Sequence, residues 1–152
     1  MCHLGAAVVA LCIGQFDHVS QVTKNGTVVS VYTPLGRAAE GQFALDVAVK
    51  SLEYYDEFFQ VPYPLPKLDM VAIPQFAAGA MENWGLVTFR ERDMLINPES
   101  ASNEQKQRVA IVVTHELAHQ WYGNLVTMDW WDDLWLNEGF AMWMENHMAD
   151  VL

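Results

Sequence analysis

Basic residues are scarce in this sequence, with eight Lys and Arg against nineteen Asp and Glu and a formal net charge of −11. Nucleic acids and anionic membrane surfaces bind through clustered cations, so neither is an expected partner. Charge alone reads first as a solvated surface, and only second as mild attraction for a cation such as a free peptide amine. Cysteine is almost absent. Cys2 and Cys12 are the only two, too few for a disulfide framework and suited to a reducing cytoplasm. No apolar run reaches the roughly 20 residues a membrane helix needs, so membrane insertion is not expected. The run Leu4 to Ile13 lacks the positively charged start of a secretory signal and reads as a buried strand. Internal repeats and low-complexity segments are also missing.

What the chain has in quantity is apolar surface. Over 152 residues, 52% are hydrophobic, including six Trp, seven Phe and five Tyr, which excludes a disordered segment and suits one domain or part of a larger one. Val19 to Val22 and Thr27 to Tyr32 are β-branched runs separated by Lys24-Asn25-Gly26, a hairpin signal in which both Asn and Gly tolerate positive φ. Thr33-Pro34-Leu35-Gly36 breaks that pattern, and a domain boundary is expected between residues 33 and 34. Phe43, Val47, Leu52, Tyr55 and Phe59 then recur at helical spacing over about Ala39 to Gln60. The proline cluster Val61 to Pro66 ends that helix. Leu68 to Ile73 and Leu86 to Phe89 read as strands, and the small-residue segment Gln75 to Gly85 between them has neither period. After a loop from Asp93, Ser102 and Gln105 form a capping box for a helix running to about Tyr122, where Gly123 is the stop. Asp132 or Asp133 caps a last helix towards Ala149.

Chemistry concentrates at His115-Glu116-Leu117-Ala118-His119. Two histidines four apart on a helix lie about 6 Å apart along the axis and about 40° apart around it, so both imidazoles reach one ion. Glu116 is offset around the helix and can act as a general base on water instead of as a ligand. Two surface histidines on an ordinary helix would give the same spacing. The apolar setting of Val109 to Val113, Leu117 and Ala118 weighs against that, because buried polar groups need partners. A third ligand from a neighbouring helix, Glu138 in Leu136-Asn137-Glu138-Gly139, leaves a fourth position open, as catalytic zinc sites do. Glu145, two turns further on, is a candidate acceptor for a ligand histidine. His3, His18 and His147 have no partner at ligand spacing. Trp121, Trp130, Trp131, Trp135 and Trp143 flank these helices, with core packing as their first expected duty and lining a pocket for the substrate's first side chain as the alternative for one of them.

His115 to His119, eighteen residues, then Glu138, with Gly79-Ala80-Met81-Glu82-Asn83 upstream, resembles the gluzincin zinc aminopeptidases. Pro62 to Lys67, Asn83 to Thr88 and Gly123 to Met128 fit the same family. The resemblance implies an α+β fold: residues 34–152 as the N-terminal part of a thermolysin-like catalytic domain, with a mixed sheet and zinc-site helices. Residues 1–33 would then be the last strands of an N-terminal β domain. It further implies one zinc ion on His115, His119 and Glu138, Glu116 as catalytic base, and peptides with a free N-terminus as substrates. Within Gly79, Ala80, Met81, Glu82 and Asn83, the substrate-binding segment, Glu82 would hold the α-ammonium. Gly79 and Ala80 would let a peptide lie alongside as an extra strand. The family's oxyanion-stabilising tyrosine comes from well downstream, whereas this chain runs fourteen residues past Glu138. None of Tyr32, Tyr54, Tyr55, Tyr63 or Tyr122 matches it. The chain therefore reads as a fragment, with an inert zinc- or peptide-binding piece and a thermolysin-like endopeptidase as the alternatives.

Overall fold

A computed structural model describes residues 10–152. Strands β1 (Phe16–Val22) and β2 (Val28–Pro34) form an antiparallel hairpin, and helix α1 (Gln42–Phe59) follows a short 3-10 turn at Ala38–Gly41. Strands β3 (Lys67–Ile73), β4 (Ala80–Met81) and β5 (Leu86–Arg90) complete one sheet in the order β1-β2-β3-β5-β4. The pairs β2–β3 and β3–β5 are parallel, while β4 is an antiparallel edge strand on β5. Helices α2 (Asn103–Ala118) and α3 (Leu134–Ala149) close the chain. This mixed sheet with helices is the expected α+β class. The expected boundary between residues 33 and 34 falls inside β2, which pairs with β1 and β3 in that same sheet.

Period-two burial explains why the sheet faces α1. Val29 pairs with Leu68, Val31 with Met70, Met70 with Val87 and Ala72 with Phe89, and all seven are fully buried on one face. Opposite them lie Ala44, Leu45, Ala48, Leu52 and Tyr55 of α1 at helical spacing. Contact is close at the helix start, where a Cβ on Gly41 would stand 2.8 Å from Val31 Cγ1. Gln60 ends α1 in the left-handed conformation, φ 53°, before the prolines. Val109, Val113 and Leu117 turn one stripe of α2 into this core.

Several expectations change. Between Lys24 and Gly26 only glycine has positive φ, 88°, and Thr23 N–H donates to Thr27 O. The turn is therefore a three-residue loop with glycine at the left-handed position. Of the expected strand Leu4 to Ile13, residues 4–9 lie outside the described part. Residues 10–13 form no strand, and Leu11 and Ile13 are exposed. Of the five tryptophans assigned to packing, only Trp121 is buried, its indole N–H donating to Val61 O. Trp130, Trp131, Trp135 and Trp143 are more than half exposed. Trp135 and Trp143 are exposed because α3 is apolar on several sides but buries one stripe, Ala141, Met144 and Met148, while Trp130 and Trp131 lie at the start of the 3-10 turn before it. Among the described residues, no helix is long and apolar enough to cross a membrane.

Candidate metal centre

The site begins with the capping box. Ser102 Oγ accepts from Gln105 N–H and Gln105 Oε1 accepts from Ser102 N–H, so α2 starts where the sequence says. It ends sooner than expected. His119 is the C-terminal cap and not a mid-helix residue, because Gln120 and Trp121 switch to bonds three residues back. Asn124, Leu125 and Val126 N–H groups then bond to His119, Gln120 and Trp121 carbonyls, folding the chain back over the helix end. Tyr55 Oη donates to Thr114 O at 3.0 Å and pins α1 to α2 one residue before His115.

His115 Nε2 lies 3.1 Å from His119 Nε2, and Glu138 Oε2 lies 3.4 Å and 3.7 Å from them. The other ring nitrogens reveal what these atoms carry. His115 Nδ1 faces Glu145 Oε2 at 2.6 Å, and His119 Nδ1 faces Tyr122 O at 3.0 Å and Asn137 Oδ1 at 2.9 Å. All three partners are acceptors, so each Nδ1 bears a proton, and in the neutral ring each Nε2 presents a lone pair. With the rings neutral, three electron-rich atoms converge, an arrangement a cation satisfies. Donors at roughly 2.0–2.1 Å from a tetrahedral ion stand roughly 3.3–3.4 Å apart, which matches the triangle. The residues present fit a divalent ion, and Glu138, about half exposed, leaves one side open.

Glu116 is buried, and its Oε2 has no hydrogen-bond partner. Burial first, and then the charges of Glu82, Glu138 and Glu145, push its carboxyl up to about 9 in the metal-free chain. Such a group is poised to hold or release a proton beside the triad.

Gly79 to Asn83 crosses the sheet edge. Gly79 is exposed, and its carbonyl accepts from Arg90 N–H at 2.8 Å. Arg90 also holds Phe76 O and Ala77 O. Ala80 and Met81 pair with Phe89 and Thr88, and among the described residues no strand covers the far edge of β4. Glu82 follows directly and is drawn to the triad by Asn137 Nδ2, 3.4 Å from Glu82 Oε1. The Asn83 side chain turns the other way. It is buried and donates to Thr88 Oγ1 and Met81 O, shaping the turn without facing the triad.

Three amides that the sequence reading passed over organise this junction. Gln120, fully buried, accepts from Gly85 N–H, and together with Asn124 it donates to Glu82 O. Asn137 meets both His119 and Glu82. The signal available was an amide in otherwise apolar surroundings, at Gln120 and beside Glu138. His147 is satisfied by Tyr54 Oη at 2.6 Å and stacked on Trp143, and His18 stacks on Tyr32. Tyr55 and Tyr63 donate to the carbonyls of Thr114 and Lys67, and Tyr122 stacks on Phe140, so these rings are committed elsewhere.

Comparison with known proteins gives this geometry a family. Residues 43–152 match the Peptidase family M1 domain. Aminopeptidase M1-C of Oryza sativa subsp. japonica is 61% identical over 94% of the chain and 16% of its own length. Puromycin-sensitive aminopeptidase of Caenorhabditis elegans is 54% identical over 93% of the chain and 15% of its own length. Endoplasmic reticulum aminopeptidase 1 of Homo sapiens is 54% identical over 91% of the chain and 15% of its own length. The chain thus spans about 16% of the length of relatives such as the rice enzyme. With the domain matched over residues 43–152 and the resemblance seen in its motifs, this chain belongs to peptidase family M1.

Proposed function

We propose that this chain carries the metal- and amine-binding segment of a zinc-dependent aminopeptidase that removes the first residue of peptides. The observation that carries the reading is the convergence of three potential donor atoms, His115 Nε2, His119 Nε2 and Glu138 Oε2, within 4.8 Å of one another. Two imidazoles and one carboxylate with an open side suit zinc. When bound, zinc supplies Lewis-acid activation of water and of the scissile carbonyl.

Each remaining step belongs to a side chain. Glu116, buried beside the triad with a free oxygen, takes the proton from the attacking water and passes it to the leaving amine. Glu82 receives the α-ammonium through charge-assisted hydrogen bonds, which restricts cleavage to the first peptide bond. The open edge of β4 at Ala80 and Met81 offers backbone groups to an extended substrate, with Gly79 keeping the approach clear. Asn83 acts from behind, by holding the turn that presents Glu82. Residues 34–152 would be the start of the peptidase domain and residues 1–33 the end of a β domain whose hairpin extends its sheet. Two cysteines favour a cytoplasmic setting.

Hydrolysis of a leucyl chromogenic amide, compared with its N-acetylated form, tests the reading. An aminopeptidase cleaves only the free amine. Equal cleavage of both indicates an endopeptidase, and cleavage of neither by the zinc-loaded chain indicates an inert binder.

A further inference from the structure

We propose that Asn137 is a positioning residue that ties the metal ligand His119 to the carboxylate of Glu82, holding metal and amine anchor in one register. The inference rests on the function proposed above and adds to it the part that couples its two halves. Asn137 Oδ1 is 2.9 Å from His119 Nδ1, and Asn137 Nδ2 is 3.4 Å from Glu82 Oε1. The amide has only one consistent orientation. Tyr122 O, 3.0 Å from the same His119 nitrogen, requires that nitrogen to carry the proton, so Asn137 must present oxygen to it. The opposite end then presents N–H groups to the Glu82 carboxylate. Flipping the amide would set N–H against N–H and oxygen against oxygen.

Surrounding structure fixes Asn137 in place. Gly123 lies flat against the amide, and a Cβ there would collide with Asn137 Oδ1 and stand 3.0 Å from its Cγ. The Glu82 backbone is anchored separately to the end of α2, its carbonyl accepting from Asn124 Nδ2 at 2.8 Å and Gln120 Nε2 at 3.4 Å. Glu82 is thereby held by main chain and by side chain to the two helices that carry the metal ligands. Removing a single residue from a peptide requires a fixed separation between the ammonium anchor and the metal. A displacement of roughly 1 Å costs on the order of a hundredfold in rate. A bridge that touches both ends sets that separation directly.

Two substitutions separate the roles, using the full chain. Asn137→Leu removes both contacts, whereas Asn137→Asp keeps an acceptor for His119 Nδ1–H. Zinc affinity is read by chelator competition. The amine arm is read on the zinc-loaded chain as the affinity ratio of leucine hydroxamate to its N-acetyl form. Asn137→Leu should weaken zinc roughly 10- to 100-fold, while Asn137→Asp stays within about threefold of the parent chain. The amine preference of Asn137→Leu should fall about three- to tenfold. Zinc and amine preference both unchanged in the leucine variant would overturn the proposal. So would a zinc loss with the amine preference intact, or an aspartate variant as weak as the leucine one. If the leucine variant does not fold, a tenfold zinc loss in the aspartate variant still overturns it. A parent chain that takes no zinc, or shows no amine preference, removes the proposed function and this inference together.

Discussion

Glu145 Oε2 stands 2.6 Å from His115 Nδ1, two helical turns beyond Glu138 on α3. One helix therefore supplies both a proposed ligand, Glu138, and the acceptor that orients another, His115. Glu145→Ala should leave His115 free to rotate and to protonate Nε2, lowering zinc affinity roughly 10- to 100-fold. Glu145→Gln, which keeps an acceptor, should recover part of that loss. Zinc titration against a chelator measures both. Affinities equal to the parent chain would make Glu145 an ordinary surface acid.

Glu116 governs how the metal-free chain responds to pH. Its carboxyl titrates near 9 in the fold against an ordinary value of 4.5, so between those values the folded chain holds a proton the unfolded chain has lost. Stability of the metal-free chain should therefore fall as pH rises through that window, by at most about 1.4 kcal/mol per pH unit. Glu116→Gln should flatten this slope and be the more stable chain at pH 8, while binding zinc and losing turnover. Urea midpoints at pH 5 and 8, in chelator, provide the check. Identical slopes for both chains would contradict the assignment.

Gly123 has φ 114°, a conformation side chains rarely adopt, and Asn137 occupies the space where its Cβ would go. Gly123→Ala should destabilise the chain by roughly 2 kcal/mol or more, from backbone strain and overpacking together. Because the displaced neighbour is Asn137, zinc affinity should fall as well. A thermal melt and a zinc titration of the same variant test the pair of effects, and a normal melting temperature would contradict the first.

Gln120 is fully buried and accepts the Gly85 N–H at 3.2 Å. Gln120→Leu orphans that donor, at a cost of roughly 1–3 kcal/mol. It also releases one hold on the Glu82 carbonyl. KM for free-amine substrates should rise more than kcat falls. A change confined to kcat would place the role of Gln120 elsewhere.

The approach of His115 to His119 was legible because its spacing is local. Helical geometry brings His115 and His119 together whatever else the chain does, and Glu138 followed from the family motif. Helix ends, turns and faces were less legible. The early end of α2 at His119 depends on carbonyls of residues 119–121 taking N–H groups five residues ahead, which no residue before Gly123 announces. Asn137 could not be assigned from spacing, since its partners lie 18 and 55 residues away and meet only when α3 packs on α2. Trp135 and Trp143, exposed on α3, misled for a related reason. A helix apolar on several sides does not disclose which side the described residues will cover.

X-ray absorption at the zinc edge, on the chain loaded with one equivalent of zinc, tests the triad most directly. Two imidazole nitrogens and one carboxylate oxygen at roughly 2.0–2.1 Å, with the oxygen contribution lost in Glu138→Ala, are the expected result. A spectrum that Glu138→Ala leaves unchanged, or one with a single imidazole, would contradict the site on which the peptidase reading stands.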